Sequence, residues 1–135
     1  MTSNQAGFRA ELGHQVKEMT RVLVVEDDPF TFRRFHRLLM SRGVGQVVHA
    51  TTVAEALGLL DPLLDWVILD MHLPDGLGLV VLETIRKAGL PIRVVVCSAT
   101  TDADLIAAFA AYKPDVIIPK PFNPALLPIG LDEEP

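Results

Sequence analysis

Apolar and polar positions follow one another along this chain in blocks that predict strands and helices in alternation. Five short apolar runs are the predicted strands, at residues 21–25, 46–50, 66–70, 92–97 and 115–119. The segments that follow the first four runs carry apolar residues at helical spacing. A strand that is followed each time by a helix indicates an α/β fold, a parallel sheet with helices on both faces.

Capping and breaking residues mark the ends of the predicted helices. Asp28 followed by Pro29 is typical of a helix start, and Gly43 is typical of a helix end. Thr52 and Glu55 have the spacing of a capping box at the start of the second helix.

The predicted last helix has little room. Asn123 and Pro124 provide a start, but Pro128 and Gly130 stop the helix after a turn or two. We therefore expect the last helix to be shortened.

Composition narrows the class of protein. Half of the 135 residues are hydrophobic and the net charge is −5, which favours a single folded domain and argues against a nucleic-acid-binding surface. No apolar stretch is long enough to span a bilayer, and the first twenty residues lack the apolar centre of a signal peptide. The single cysteine, Cys97, ends an apolar run and is interpreted as a buried structural thiol. We expect a soluble cytoplasmic protein.

Three segments are predicted. Residues 1–20 form a flexible N-terminal extension or a short amphipathic helix, because Phe8, Leu12 and Val16 recur at helical spacing. Residues 21–127 form the folded domain, and residues 128–135 form an acidic C-terminal tail.

Polar residues stand at the ends of four predicted strands. Carboxylates, a hydroxyl group and an ammonium group occupy these positions: Glu26, Asp27, Asp28, Asp70, Ser98 and Lys120. In open parallel sheets, ligands bind at the edge where the strands end. Two carboxylates about 5 Å apart repel by about 3 kcal/mol at an effective dielectric constant of about 20. Such a cluster favours a site for a divalent cation and a phosphoryl group.

Four motifs at these strand ends carry a family resemblance. They read LVVEDDP at 23–29, DMHLPDGLG at 70–78, SA at 98–99 and KPF at 120–122. Together they make residues 21–122 resemble a response-regulator receiver domain of bacterial two-component signalling, in the superfamily of the chemotaxis regulators. The resemblance implies a flavodoxin-like, doubly wound sheet of five parallel strands in the order 2-1-3-4-5.

The resemblance also implies roles for three side chains. Asp70 is the expected phosphoacceptor, because a carboxylate can attack phosphorus to form an acyl phosphate. Ser98 donates a hydrogen bond to the phosphoryl group, and Lys120 pairs first with Asp70 and then with that group. The peptide bond between Lys120 and Pro121 is expected to be cis.

A Mg²⁺ site follows from the same resemblance. Asp27 is the expected direct ligand, Glu26 acts through water, and Asp70 and the backbone carbonyl of His72 complete the set. The side chain of His72 lies at the rim of the site with Thr100, where both are expected to influence loss of the phosphoryl group.

A phosphorylation-controlled switch is the function that we expect, and not a metabolic enzyme. Its partners are a sensor histidine kinase or phosphotransfer protein, and a downstream protein target or output domain; a homodimer is compatible with the pattern. Nucleic acid and membrane are not expected as direct partners.

Two other functions remain as alternatives. A small Mg-dependent aspartyl phosphohydrolase would use Asp70 as nucleophile, but such enzymes usually carry a second carboxylate where this chain has His72. A flavodoxin-like cofactor binder needs a phosphate-cradling loop where this chain has acidic residues, and it ranks last.

Two features depart from the family pattern. Ile117 occupies a position, three before Lys120, that is usually aromatic and takes part in the switch. The shortened last helix predicts an apolar patch that a partner, a second copy or the N-terminal segment covers: Ala125, Leu126, Leu127, Ile129 and Leu131.

Histidines and arginines elsewhere in the chain carry no signal of a site. His36 and His49 lack partners at metal-ligand spacing and are interpreted as surface or helix-face residues. Arg33, Arg34 and Arg37 are interpreted as a solvated helix face in preference to a docking site.

Overall fold

The computed structural model describes residues 19–130, so the predicted N-terminal extension up to residue 18 and residues 131–135 of the predicted tail lie outside the described residues. The five main strands are β1 Arg21–Val25, β2 Gln46–Ala50, β3 Trp66–Asp70, β4 Arg93–Ser98 and β5 Val116–Pro119. The helices are α1 Pro29–Ser41, α2 Val53–Leu59, α3 Leu79–Lys87 and α4 Ala103–Ala110, followed by a short 3₁₀ helix, Pro124–Leu126.

The strands form one parallel sheet in the order β2-β1-β3-β4-β5. The predicted doubly wound α/β fold is therefore confirmed, and so is the strand order that the resemblance implied. The loop after β3 contains a small antiparallel hairpin of His72–Leu73 with Gly76–Leu77.

Alternate residues of each strand enter two separate apolar cores. In β1, Leu23 and Val25 pack on the face covered by α2, α3 and α4, whereas Val22 and Val24 pack on the face covered by α1. A strand that is buried on both faces needs this continuous run of apolar residues. The sheet edge where the strands end is thereby held in a fixed position.

Helix starts agree with the sequence patterns, with one difference. Asp28 caps α1 through Phe30 and Thr31, as expected. Thr52 caps α2 by accepting from the Glu55 N–H, but the Glu55 carboxylate accepts from the backbone and hydroxyl of Thr51, one residue before the expected partner. The reciprocal half of the capping box is thus shifted by one residue.

The segment after β5 replaces a full last helix, and it corrects the predicted apolar patch. Leu127 and Ile129 are fully buried in the core on the α1 face, whereas Leu126 is 47% exposed. Arg42, next to the end of α1, donates to the carbonyls of Pro124, Leu127 and Ile129 at 2.8, 2.6 and 2.9 Å. Two residues of the expected patch are therefore core residues, because a guanidinium group satisfies the backbone that a helix would have satisfied.

A groove of about 380 Å³ lies between α1 and this segment, and Arg34, Arg37 and Phe122 contribute to its lining. The three arginines of α1 are exposed, which agrees with a solvated helix face. Across residues 19–130, no helix combines the length and the apolar character needed to cross a membrane.

Candidate functional site

Lys120 lies between two carboxylates at the C-terminal edge of the sheet. Its Nζ is 3.2 Å from Oε1 of Glu26 and 3.2 Å from Oδ2 of Asp70. Glu26 follows β1, Asp70 ends β3 and Lys120 follows β5, so the parallel sheet brings together residues that are far apart in the chain. Partial burial lowers the pKa of Lys120, but the charges of Asp70 and Glu26 and its hydrogen bonds to both outweigh burial and raise that pKa.

Glu26, Asp27 and Asp70 form an acidic cluster in this pocket. One oxygen atom of each carboxylate lies within 4.8 Å of the others. Glu26 is 2% exposed, Asp70 is 9% exposed and Asp27 is exposed. Burial raises the pKa of Glu26 above its ordinary value, although the Asp28 N–H and Lys120 oppose this shift. The pocket holds more carboxylates than Lys120 can neutralise, and oxygen donors at this spacing fit a hard divalent cation.

Ser98 lies at the end of β4, next to the strand that ends in Asp70. Asp70 pairs with Cys97 in the ladder, so Ser98 is one position beyond that pair. Its hydroxyl oxygen accepts from the Thr100 N–H at 3.0 Å, which leaves the hydroxyl proton free to be donated elsewhere. Its carbonyl accepts from the Lys120 N–H at 2.7 Å and so links β4 directly to Lys120.

The loop after β3 keeps the Asp70 side chain near the backbone. The His72 N–H donates to Oδ1 of Asp70 over a long 3.4 Å, and the His72 side chain is exposed. A Cβ atom at Gly78 would collide with the carbonyl oxygen of Asp70. Gly78, at the end of the motif that spans residues 70–78, therefore lies so close to Asp70 that only glycine fits there.

Asp75 is a residue of this loop whose contacts the sequence did not reveal. Its carboxylate accepts from the N–H groups of Val53 and Ala54 at 2.7 and 3.0 Å, at the start of α2. These bonds lower the pKa of Asp75. The only local signal was its position before Gly76 in a turn, which does not identify a partner 22 residues earlier.

His49 corrects another interpretation, because it is not a simple surface residue. Its Nε2 is 2.8 Å from the carbonyl oxygen of Glu26, and its ring stacks on Phe32. No spacing in the sequence predicted these contacts, since they join β2 to the loop after β1 and to α1.

Three smaller expectations can be compared with the structure. Cys97 is 2% exposed, as predicted, and burial raises its pKa to about 12. The bond between Lys120 and Pro121 is cis, as expected. Ile117 is half-buried beside the core on the α2, α3 and α4 face.

Together, the fold and this pocket define a class of protein: a doubly wound α/β domain with an acidic, lysine-containing site at the carboxyl edge of its sheet. Comparison with known proteins identifies the family. The family model for the response regulator receiver domain matches residues 22–130. The chain belongs to this family, whose members act in phosphorylation-controlled signalling and generally bind Mg²⁺ at an acidic pocket.

Curated relatives and solved structures agree with this assignment. The chain is 40% identical over 117 residues to the transcriptional regulatory protein KdpE of Mycobacterium tuberculosis, covering 85% of this chain and 47% of that protein. It is 31% identical over 105 residues to the cell cycle transcriptional regulator CtrA of Caulobacter vibrioides, covering 76% and 45%. The non-phosphorylated HemR receiver domain of Leptospira biflexa has a TM-score of 0.71 at 31% identity, covering 77% of this chain and 84% of that one. The chain spans about half the length of the curated relatives it matches.

Proposed function

We propose that this domain accepts a phosphoryl group on Asp70 in a Mg²⁺-dependent reaction and thereby changes its contacts with a protein partner. The observation that carries this proposal is the bridge from Lys120 to both Glu26 and Asp70 at 3.2 Å, in a pocket that Asp27 also lines. The Lys120 ammonium group, beside the nearly buried Asp70 carboxylate, orients one nucleophilic oxygen and offers positive charge to an incoming phosphoryl group.

Phosphoryl transfer forms one bond to phosphorus and breaks another. An oxygen atom of the Asp70 carboxylate attacks phosphorus, and the bond between phosphorus and the donor nitrogen of a phosphohistidine breaks. The leaving imidazole keeps the electron pair, and Asp70 becomes an acyl phosphate. Water later attacks the same phosphorus, releases inorganic phosphate and restores the carboxylate.

Lys120 changes its ion-pair partners during this transfer. Before it, Lys120 pairs with Glu26 and Asp70; after it, the ammonium group pairs with the phosphoryl oxygens that Asp70 then carries. The Ser98 hydroxyl, which accepts from the Thr100 N–H before transfer, donates its proton to another phosphoryl oxygen.

Glu26, Asp27 and Asp70 would hold the Mg²⁺ ion, with the carbonyl of His72 as a further proposed ligand. The fit rests on oxygen donors within 4.8 Å of one another. A bound magnesium ion supplies positive charge that offsets the charge of the transferring group.

A route from the site to α4 supports a switch that does not need an aromatic residue at position 117. The Thr100 N–H binds Ser98, the Asp102 N–H binds the Thr100 hydroxyl at 3.0 Å, and Asp102 caps α4. When Ser98 turns toward a phosphoryl group, the first of these bonds changes, so the start of α4 is the proposed output surface.

A sensor histidine kinase or phosphotransfer protein is the proposed donor, and a cytoplasmic location is proposed with it. The output is proposed to be a downstream protein or a further domain, because the curated relatives are transcriptional regulators about twice as long as the matched region. A homodimer belongs to the same proposal and is tested by the oligomeric state after phosphorylation. No observation in the pocket favours the phosphohydrolase alternative, since the His72 side chain that replaces its second carboxylate is exposed.

The test is phosphorylation of the purified chain by acetyl phosphate with Mg²⁺, followed by intact mass. Wild type should gain one phosphoryl group that hydroxylamine removes, as an acyl phosphate requires. Asp70→Asn should gain none, and Asp104→Asn, an exposed acidic residue on α4, should behave as wild type. Equal labelling of wild type and Asp70→Asn, or labelling that persists in EDTA, would overturn the proposal.

A further inference from the structure

His49 and Glu26 make a side-chain contact that the phosphoryl chemistry does not explain. His49 Nε2 lies 2.8 Å from the Glu26 carbonyl oxygen. A carbonyl oxygen only accepts, so Nε2 carries the proton and donates. The imidazole is half-buried on β2, beside the loop that carries the acidic residues.

This bond extends the pairing of β1 with β2 beyond its last backbone contact. The Glu26 N–H donates to the Ala50 carbonyl at 3.0 Å, and β2 then ends. In a continued parallel ladder, the N–H of Thr52 would donate to the Glu26 carbonyl. The chain leaves β2 at Ala50 and turns into α2, which the Thr52 hydroxyl oxygen caps, and the His49 imidazole supplies a donor to the Glu26 carbonyl.

The same ring contacts the helix that follows the acidic loop. The rings of His49 and Phe32 stack, with centroids 3.6 Å apart and planes within 8°. Phe32 lies in the first turns of α1, so one side chain holds the loop of Glu26, Asp27 and Asp28 at its beginning and just after its end. Neighbouring carboxylates repel one another, and a loop held by His49 as well as by the Lys120 bridge resists that repulsion better than one held by Lys120 alone.

We propose that His49 is a positioning residue for the metal ligands: it fixes the loop that presents Glu26 and Asp27 toward Asp70, and it thereby raises the affinity for a divalent cation. The inference rests on the proposed function, because it concerns the same cation site. It assigns to a β2 side chain a part in metal binding without direct contact with the ion.

Three variants separate the hydrogen bond from the ring contact. His49→Phe keeps a flat ring against Phe32 and removes the donor. His49→Gln restores an N–H donor without the ring. His36→Phe is the matched control, because His36 contacts the same Phe32 ring, at 5.7 Å between centroids, from α1 itself.

Binding of Mn²⁺ to each variant, followed by electron paramagnetic resonance, measures affinity without any turnover. Loss of one hydrogen bond predicts a rise of about fivefold in the Kd of His49→Phe, which keeps the ring contact, and a smaller rise for His49→Gln, which keeps a donor but loses the ring contact. His36→Phe should match wild type. In the acetyl phosphate reaction, the Mg²⁺ concentration for half-maximal rate should rise for His49→Phe by the same factor, whereas the rate at saturating Mg²⁺ should stay near that of wild type.

The measurements distinguish failure of this inference from failure of the proposed function. If His49→Phe binds Mn²⁺ as wild type does, the inference is overturned and the proposed function stands. If wild type itself binds no Mn²⁺, the proposed function fails and the inference fails with it. Circular dichroism reports whether each variant folds; if His49→Phe does not, His49→Leu takes its place, and wild-type affinity there also overturns the inference.

Discussion

Lys120 donates from Nζ to Oδ2 of Asp70 over 3.2 Å, although the two residues are 50 positions apart in the chain. The same ammonium group reaches Glu26, so one cation lies against two carboxylates that are both nearly buried. Without it, these carboxylates repel across the pocket, at about 3 kcal/mol for a pair at this spacing and an effective dielectric constant of about 20.

Replacement of Lys120 tests whether its charge offsets the repulsion between Glu26 and Asp70. In EDTA, Lys120→Ala should lower the free energy of unfolding by about 2 kcal/mol, because hydrogen bonds to charged groups are lost and the carboxylates remain. Mg²⁺ should restore more stability to this variant than to wild type. Urea denaturation with and without Mg²⁺ measures both effects.

Lys87→Ala is the matched control for that experiment. Lys87 pairs with Glu83 on the exposed surface of α3, and its removal should leave the free energy of unfolding nearly unchanged. Equal losses for the two lysine variants would show that Lys120 has no special role in the pocket.

The Asp75 carboxylate should make the stability of the fold depend on pH. Its hydrogen bonds from Val53 and Ala54 lower its pKa in the folded state. A group whose folded pKa is lowered stabilises the fold above its ordinary pKa, about 3.9 for aspartate, and loses this effect as pH falls through the folded value. Asp75→Ala should therefore be less stable than wild type near neutral pH, and the difference should shrink below about pH 4. Chemical denaturation from neutral to acidic pH measures the difference; a constant difference across that range would contradict the assignment.

Arg42 predicts a large effect far from the site. Arg42→Ala removes donors to the carbonyls of Pro124, Leu127 and Ile129, and it should cost about 3 kcal/mol of the free energy of unfolding. Amide hydrogen exchange should become faster at residues 127–130. Arg37→Ala, which replaces an exposed arginine of α1, is the control. The prediction is wrong if both arginine variants are equally stable.

Substitution of glycine by alanine should have opposite effects on stability at two positions. Gly78→Ala forces a Cβ against the carbonyl of Asp70 and should cost about 2 kcal/mol or more. Gly58 lies in α2, and no atom would stand within 4 Å of an added Cβ, so Gly58→Ala should stabilise by about 0.5 kcal/mol. Thermal denaturation of both variants measures the contrast. Destabilisation by Gly58→Ala as large as that by Gly78→Ala would refute it.

The sequence by itself determined the alternation of strands and helices, the five parallel strands and the edge at which Glu26, Asp70 and Lys120 meet. These properties follow from local physics: periodicity selects the element, caps select its start, and parallel strands end on one side. The strand order came from the four motifs through the family resemblance, and not from periodicity.

Only the tertiary structure decided which groups satisfy the backbone where regular elements stop. Arg42 donates to backbone carbonyls where turns of a full last helix are missing. His49 donates to the Glu26 carbonyl beyond the end of β2, and Asp75, in the loop after β3, accepts from an N–H group at the start of α2. Each is a single side chain that reaches a distant part of the chain, so neither spacing nor composition reveals its partner. The same reason explains why Leu127 and Ile129 were expected at the surface: their burial depends on a guanidinium group more than eighty residues away.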